Sequence, residues 1–218
     1  MVIFSKLSDA TMITMNDDIN VWLESLGSKT PTPGGGAVAA LSSAISAAQL
    51  AMVANYTTGK KFADAETRMQ EIAQELTDLR EQSLDLIAAD AKAFSKIGAA
   101  YSLPKETSAQ EATRRIAIQS ALLGAAEPPT KVATIASRLV KIADELAVAG
   151  NKNVISDVAV GASLAKAALE SAIVNIEINK TSLKNQSEKN ALQIAIDQAT
   201  KNIANADRIV QDTRKHFA

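Results

Sequence analysis

Asp90 is the residue that packing explains least. A helix is predicted over 63–100, where Met69, Ile72, Leu76, Leu79, Ser83, Leu86, Asp90, Ala93 and Ile97 follow alternating steps of three and four. On such a stripe Asp90 lies beside Leu86, Ala93 and Phe94. A carboxylate there must find hydrogen-bond partners or rise in pKa, which suits it to general acid/base work near neutral pH. A purely structural hydrogen-bonding role is the competing reading.

Pro33-Gly34-Gly35-Gly36 is followed at once by an Ala-rich helix. Glycines let backbone N–H groups approach a ligand, and a helix N-terminus offers unpaired donors, so Gly34, Gly35 and Gly36 form a candidate cradle for an anion or a developing charge. Close helix crossing explains the same glycines. No nucleotide-binding fingerprint surrounds them. Lys60 and Lys61, just past Gly59, either favour the dipole of the helix end before them or clamp a substrate carboxylate. Asn151 and Asp157, in Gly150-Asn151-Lys152-Asn153-Val154-Ile155-Ser156-Asp157, read either as helix caps or as site residues. Asn175 and Asn179, one helical turn apart, are solvated amides or ligand contacts.

Composition narrows the chemistry. The 218 residues contain no cysteine and one histidine, His216, so thiolate catalysis, disulfides and zinc sites lack ligands and no metal is expected. A net charge of −1 gives no basic excess for a nucleic-acid backbone. The first fourteen residues hold no long apolar run, so they do not read as a secretory signal, and the expected location is cytoplasmic. The uncharged stretch 30–59 is long enough to suggest a membrane span, but it is mostly Ala, Gly, Ser and Thr and contains Gln49 and Asn55. It reads as a fully buried helix of a soluble protein with no membrane partner.

Forty-one alanines and only 3% aromatic residues describe a core of small side chains, which means helices packed closely on helices. Helices are predicted over 16–25, 37–56, 63–100, 109–123, 129–149, from 151 onward, and 187–215, with Glu127-Pro128-Pro129 as a break. Only Ile173 to Ile178 has a β-like composition. The fold class is all-α: a single-domain multi-helix bundle covering 1–218.

Taken in order, six segments resemble the cyclodeaminase/cyclohydrolase family: Pro31-Thr32-Pro33-Gly34-Gly35-Gly36-Ala37-Val38-Ala39-Ala40-Leu41, Met52 to Lys61, Asp90-Ala91-Lys92-Ala93-Phe94, Tyr101-Ser102-Leu103-Pro104-Lys105, Gly150 to Asp157, and Asn175-Ile176-Glu177-Ile178-Asn179. The family comprises the cyclodeaminase part of formiminotransferase-cyclodeaminase and stand-alone bacterial methenyltetrahydrofolate cyclohydrolases. The resemblance implies a homodimer and a tetrahydrofolate derivative as substrate, held in a helical pocket with the glycine loop at its edge. It leaves open a separate formiminotransferase as partner.

Chemistry then assigns roles. Asp90 is the expected base and Asp157 its electrostatic or relay partner, with the Gly34 to Gly36 amides as donors and Lys60 and Lys61 on the glutamate tail. Phe94, Asn151, Asn175 and Asn179 are further expected contacts. The expected reaction interconverts 5,10-methenyltetrahydrofolate and 10-formyltetrahydrofolate. Deamination of 5-formiminotetrahydrofolate is the alternative. A catalytically silent dimer that binds folate or a partner protein is the third reading.

Overall fold

Small side chains set the spacing of this bundle. In the computed structural model, which describes residues 19–217, six α-helices follow one another: α1 (Ile19–Gly27), α2 (Gly35–Asn55), α3 (Glu66–Tyr101), α4 (Ser108–Ala149), α5 (Ile155–Ser182) and α6 (Gln186–Arg214). Short 3₁₀ turns occupy Lys60–Phe62, Lys152–Val154 and Lys215–Phe217. Asn16, Asp17 and Asp18 of the expected first helix lie outside the described residues. The β-like run Ile173 to Ile178 is helical within α5, so its branched side chains were a misleading cue.

Helix α2 packs against α3, α4 and α5, and α6 covers the outer side of α4 and α5. Helix α2 buries Ala37, Ala39, Ala40, Ala44 and Ala47 together with Leu50 and Val53. Helix α5 runs antiparallel to it so closely that a Cβ on Gly161 would come 2.5 Å from Leu50 Cδ2. At that crossing Ser46 Oγ donates to the Gly161 carbonyl at 2.8 Å. Helix α3 is antiparallel as well: Ser83 Oγ donates to Ser43 Oγ at 3.0 Å, and seven residues further on Asp90 reaches Gly36. Two forked ion pairs tie α3 to α4, Arg68 to Glu145 and Arg138 to Glu75.

Two expectations need correcting. The segment Glu127-Pro128-Pro129 does not separate two helices, because α4 runs without interruption through both prolines. A proline inside a helix removes the N–H that would bond the carbonyl four residues earlier. For Pro129 that carbonyl is Ala125 O, and the structure supplies a substitute donor, Asn179 Nδ2 on α5, at 3.3 Å. Thr130 Oγ1 donates to the neighbouring Ala126 carbonyl at 2.7 Å. Nor is α2 buried on every side: Ile45, at its midpoint, is 45% exposed. By length and composition alone α2 and the segment Lys152–Ser182 could each cross a membrane, but 56% and 44% of the respective apolar windows are buried in the bundle.

Candidate active site at the glycine end of α2

The N-terminus of α2 opens into a cavity of about 350 Å³ whose walls come from α3, α4, α5 and the segment before α2. Seven of the expected site residues line it: Gly34, Gly35, Gly36, Asp90, Phe94, Asn175 and Asn179. Phe94, Ile97 and Tyr101 continue the wall along one face of α3. The local sequence accounts for this convergence. Residues 90, 94, 97 and 101 share a helical face, and Pro31, Pro33 and Gly34 keep the chain non-helical until α2 begins at Gly35, two residues before the predicted start at 37.

Asp90 sits directly against the start of α2. A Cβ built on Gly36 would come 2.1 Å from Asp90 Oδ1, so only glycine lets the carboxyl approach this closely. In that position Asp90 accepts the backbone N–H of Ala37. The amides of Gly35 and Gly36 belong to the same first turn, where a helix supplies no acceptor of its own. Burial pushes the Asp90 carboxyl above the usual carboxylate range, and the Ala37 hydrogen bond opposes that rise without cancelling it. The result is a carboxyl that takes up a proton more readily than an exposed one, placed where donors converge.

The two asparagines are locked by their own helix. Asn175 Nδ2 donates to Ser171 O at 2.8 Å, and Asn179 Nδ2 donates to Asn175 O at 2.9 Å as well as to Ala125 O. Because a carbonyl can only accept, these bonds fix the nitrogen of each amide and leave its Oδ1 as an acceptor. Gly35 admits the Asn175 amide, whose Nδ2 lies 3.3 Å from the position a Cβ would take. The Asn179 link to α4 is the part of the site that sequence reasoning missed; the signal was Pro129, which announces an orphaned carbonyl.

The remaining expected residues are not brought to this cavity. Lys60, Lys61, Asn151 and Asp157 cluster at the opposite end of α2, whose 21 residues span roughly 30 Å. There Asp157 Oδ1 accepts from Gln49 Nε2 at 2.8 Å, and no contact with Asp90 exists through which it could relay a proton within one chain. Asn151 closes a turn: its N–H donates to Thr57 Oγ1 at 2.9 Å and its Nδ2 to Tyr56 O at 2.8 Å, while its Oδ1 accepts from the Asn153 N–H at 3.0 Å. Gly150 belongs to the same turn, since a Cβ there would come 2.5 Å from Leu146 O. Lys60 and Lys61 are exposed. Within one chain, therefore, neither lysine reaches a ligand whose reacting atoms lie at Asp90. Among the described residues no group of three His, Cys, Asp or Glu side chains is placed to hold a metal ion.

Known proteins share both this architecture and the sequence that builds it. The formiminotransferase-cyclodeaminase family model matches residues 18–198. A methenyltetrahydrofolate cyclohydrolase from Methylorubrum extorquens is 38% identical over 169 residues, which is 77% of this chain and 81% of that protein. A formimidoyltransferase-cyclodeaminase from Rattus norvegicus is 31% identical over 166 residues, and the match covers 31% of that longer protein. The crystal structure of a formiminotetrahydrofolate cyclodeaminase from Thermotoga maritima superposes with a TM-score of 0.82 at 28% identity, covering 92% of this chain and 96% of that one. On the family match along most of its length and the bacterial relative at 38% identity, this chain belongs to the formiminotransferase-cyclodeaminase family.

Proposed function

We propose that the protein is a methenyltetrahydrofolate cyclohydrolase and that the α2 cavity is where it acts. The observation that carries the assignment is the Asp90 carboxyl seated on the first turn of α2 inside a cavity of ligand size, in a chain 38% identical to a methenyltetrahydrofolate cyclohydrolase. The methenyl carbon lies between N5 and N10 of the folate and shares their positive charge, so it is already electrophilic. What the protein must add is a base for water and a fixed geometry.

In this reading Asp90 takes a proton from water as its oxygen bonds to the methenyl carbon. The hydroxyl proton of that adduct then passes to N5 as the carbon–N5 bond breaks, leaving the formyl group on N10, and Asp90 returns its proton to solvent. The balance is one water consumed and one proton released. Amides of the first turn of α2 stand where oxygen charge develops. The acceptor oxygens of Asn175 and Asn179 face donors on the bound folate.

The likeness to a formiminotetrahydrofolate cyclodeaminase favours a second reaction of the same site. N10 would attack the formimino carbon, and the departing nitrogen would take the N10 proton and one further proton from the Asp90 carboxyl, leaving as ammonia and giving the same cationic methenyl product. A carboxyl of raised pKa serves that step as the proton carrier. Incubating pure protein with methenyltetrahydrofolate and following loss of its absorbance tests the first reading, with acceleration over buffer expected. Ammonia release from formiminotetrahydrofolate without methenyl hydrolysis would transfer the assignment to the second. No acceleration and no ammonia would leave only a binding role.

A homodimer is part of the proposal. Ile45 on α2, Tyr56 just past its end, and Val160, Val174 and Ile178 on the adjacent α5 are exposed apolar side chains, with Tyr56, Val174 and Ile178 each more than 60% exposed. Exposed apolar side chains spread along two neighbouring helices suit a second copy. An axis perpendicular to α2 at Ile45 would also carry the lysine end of one copy toward the glycine end of the other. Light scattering is expected to give twice 22.9 kDa, and Val174→Glu with Ile178→Glu to give the single-chain mass. A concentration-independent monomer for the parent contradicts the pairing.

A further inference from the structure

Beside the cavity, in contact with a residue of its wall, stands a cation that neither composition nor spacing announces. Tyr101 lines the cavity at the last residue of α3, and Arg114 of α4 holds it from outside. Arg114 Nε and Nη2 donate to the Tyr101 carbonyl at 3.3 and 3.1 Å, and the guanidinium carbon stands 5.5 Å from the centre of the Tyr101 ring. Arg68, Arg80, Arg138 and Arg208 each pair with a carboxylate, whereas among the described residues Arg114, like Arg115 and Arg214, forms no such pair. Its guanidinium is thus held in place by a carbonyl and a ring, with its charge uncompensated.

Dimensions relate this cation to Asp90. The eleven residues from Asp90 to Tyr101 span roughly 16 Å of helix axis, and along them Phe94 and Ile97 give an apolar wall between the two ends. From N10 of a folate across its p-aminobenzoyl ring to the glutamate carboxylates is on the order of 10 Å by ordinary bond lengths, and the water between Asp90 and the methenyl carbon adds about 5 Å. A cavity of about 350 Å³ lies at the small end for a ligand of this size, so the glutamate must emerge from it.

We infer that Arg114 is the clamp for the glutamate tail, with Phe94, Ile97 and Tyr101 as the track that carries the p-aminobenzoyl ring from Asp90 to it. This deepens the folate assignment and rests on it. Arg114 touches the end of the substrate remote from the reacting carbon, so its contacts are about equal in ground and transition states.

The test compares two substrates that share the methenyl carbon, methenyltetrahydrofolate and the methenyl derivative of tetrahydropteroate, which lacks the glutamate. In Arg114→Ala the KM for the first is expected to rise roughly ten- to a hundredfold, the worth of a charge-assisted hydrogen bond, with kcat within about twofold. For the second substrate KM is expected to move by less than about threefold. Because Arg114 also secures the last turn of α3, Arg114→Lys, which keeps the charge and gives up the fork, serves as the folded control and should fall between parent and alanine. Equilibrium binding of tetrahydrofolate against tetrahydropteroate makes the same comparison without turnover. A parent protein that binds neither overturns the folate reading itself; a parent that binds or turns over folate while Arg114→Ala keeps its full preference for the glutamate overturns only the clamp. So does Lys60→Ala with Lys61→Ala reproducing the KM rise when Arg114→Ala does not.

Discussion

Replacing Asp90 with asparagine is expected to lower kcat by roughly 10² to 10⁴, the usual contribution of general acid/base catalysis, while making the fold more stable at neutral pH. The two effects share one cause. Burial raises the Asp90 pKa, so the folded chain holds that proton more tightly than the unfolded chain does. As pH rises from the ordinary carboxylate range through the raised value, the folded state must ionise a half-buried group and loses stability relative to the unfolded state. Asparagine has no such charge to bury, so the melting temperature of Asp90→Asn should exceed that of the parent above this window. The difference should shrink as pH falls toward the ordinary range. A variant with parental turnover makes Asp90 a structural residue, and one less stable than the parent at neutral pH shows the carboxylate to be compensated by contacts beyond the Ala37 amide.

The second large effect belongs to Gly36. An alanine methyl there would occupy space 2.1 Å from Asp90 Oδ1, so either the carboxyl leaves the Ala37 amide or α2 and α3 separate. Gly36→Ala is expected to cost about 1–3 kcal/mol of stability through overpacking and at least about tenfold in kcat through displacement of the base. The cause can be isolated, because shortening Asp90 to alanine removes the clash. In a double-mutant cycle the stability cost of Gly36→Ala should be largely absent on an Asp90→Ala background, measured by denaturant midpoints. Equal costs on both backgrounds would place the strain elsewhere.

The parts of this site that were legible in the sequence are those that break a local rule. Asp90 interrupts an apolar stripe, and Gly34 to Gly36 interrupt nothing but begin a helix without a capping side chain, so each asks for a reason beyond propensity. Asn175 and Asn179 were legible by their spacing alone. Which end of the bundle each motif occupies was not legible, because it depends on helix direction in three dimensions. Asp157 reads as a partner of Asp90 and Lys60 as a clamp on the same ligand, yet most of the length of α2 separates them from it. The continuity of α4 was hidden for a different reason. Proline rules treat Pro129 as a stop, and the donor that offsets its missing N–H, Asn179, lies 50 residues later in the chain. Arg114 was invisible because an arginine among charged residues ordinarily reads as solvated surface; only its geometry over Tyr101 distinguishes it.

The central claim is that an Asp90 carboxyl lifted by burial and held by the start of α2 performs the proton transfer. The pH dependence of kcat/KM for methenyltetrahydrofolate, corrected for the uncatalysed reaction, tests it most directly. An acid limb governed by one ionisation above the ordinary carboxylate value of about 4 is the expected result, absent from the residual activity of Asp90→Asn. A limb at the ordinary value, or one that persists unchanged in Asp90→Asn, would contradict the account.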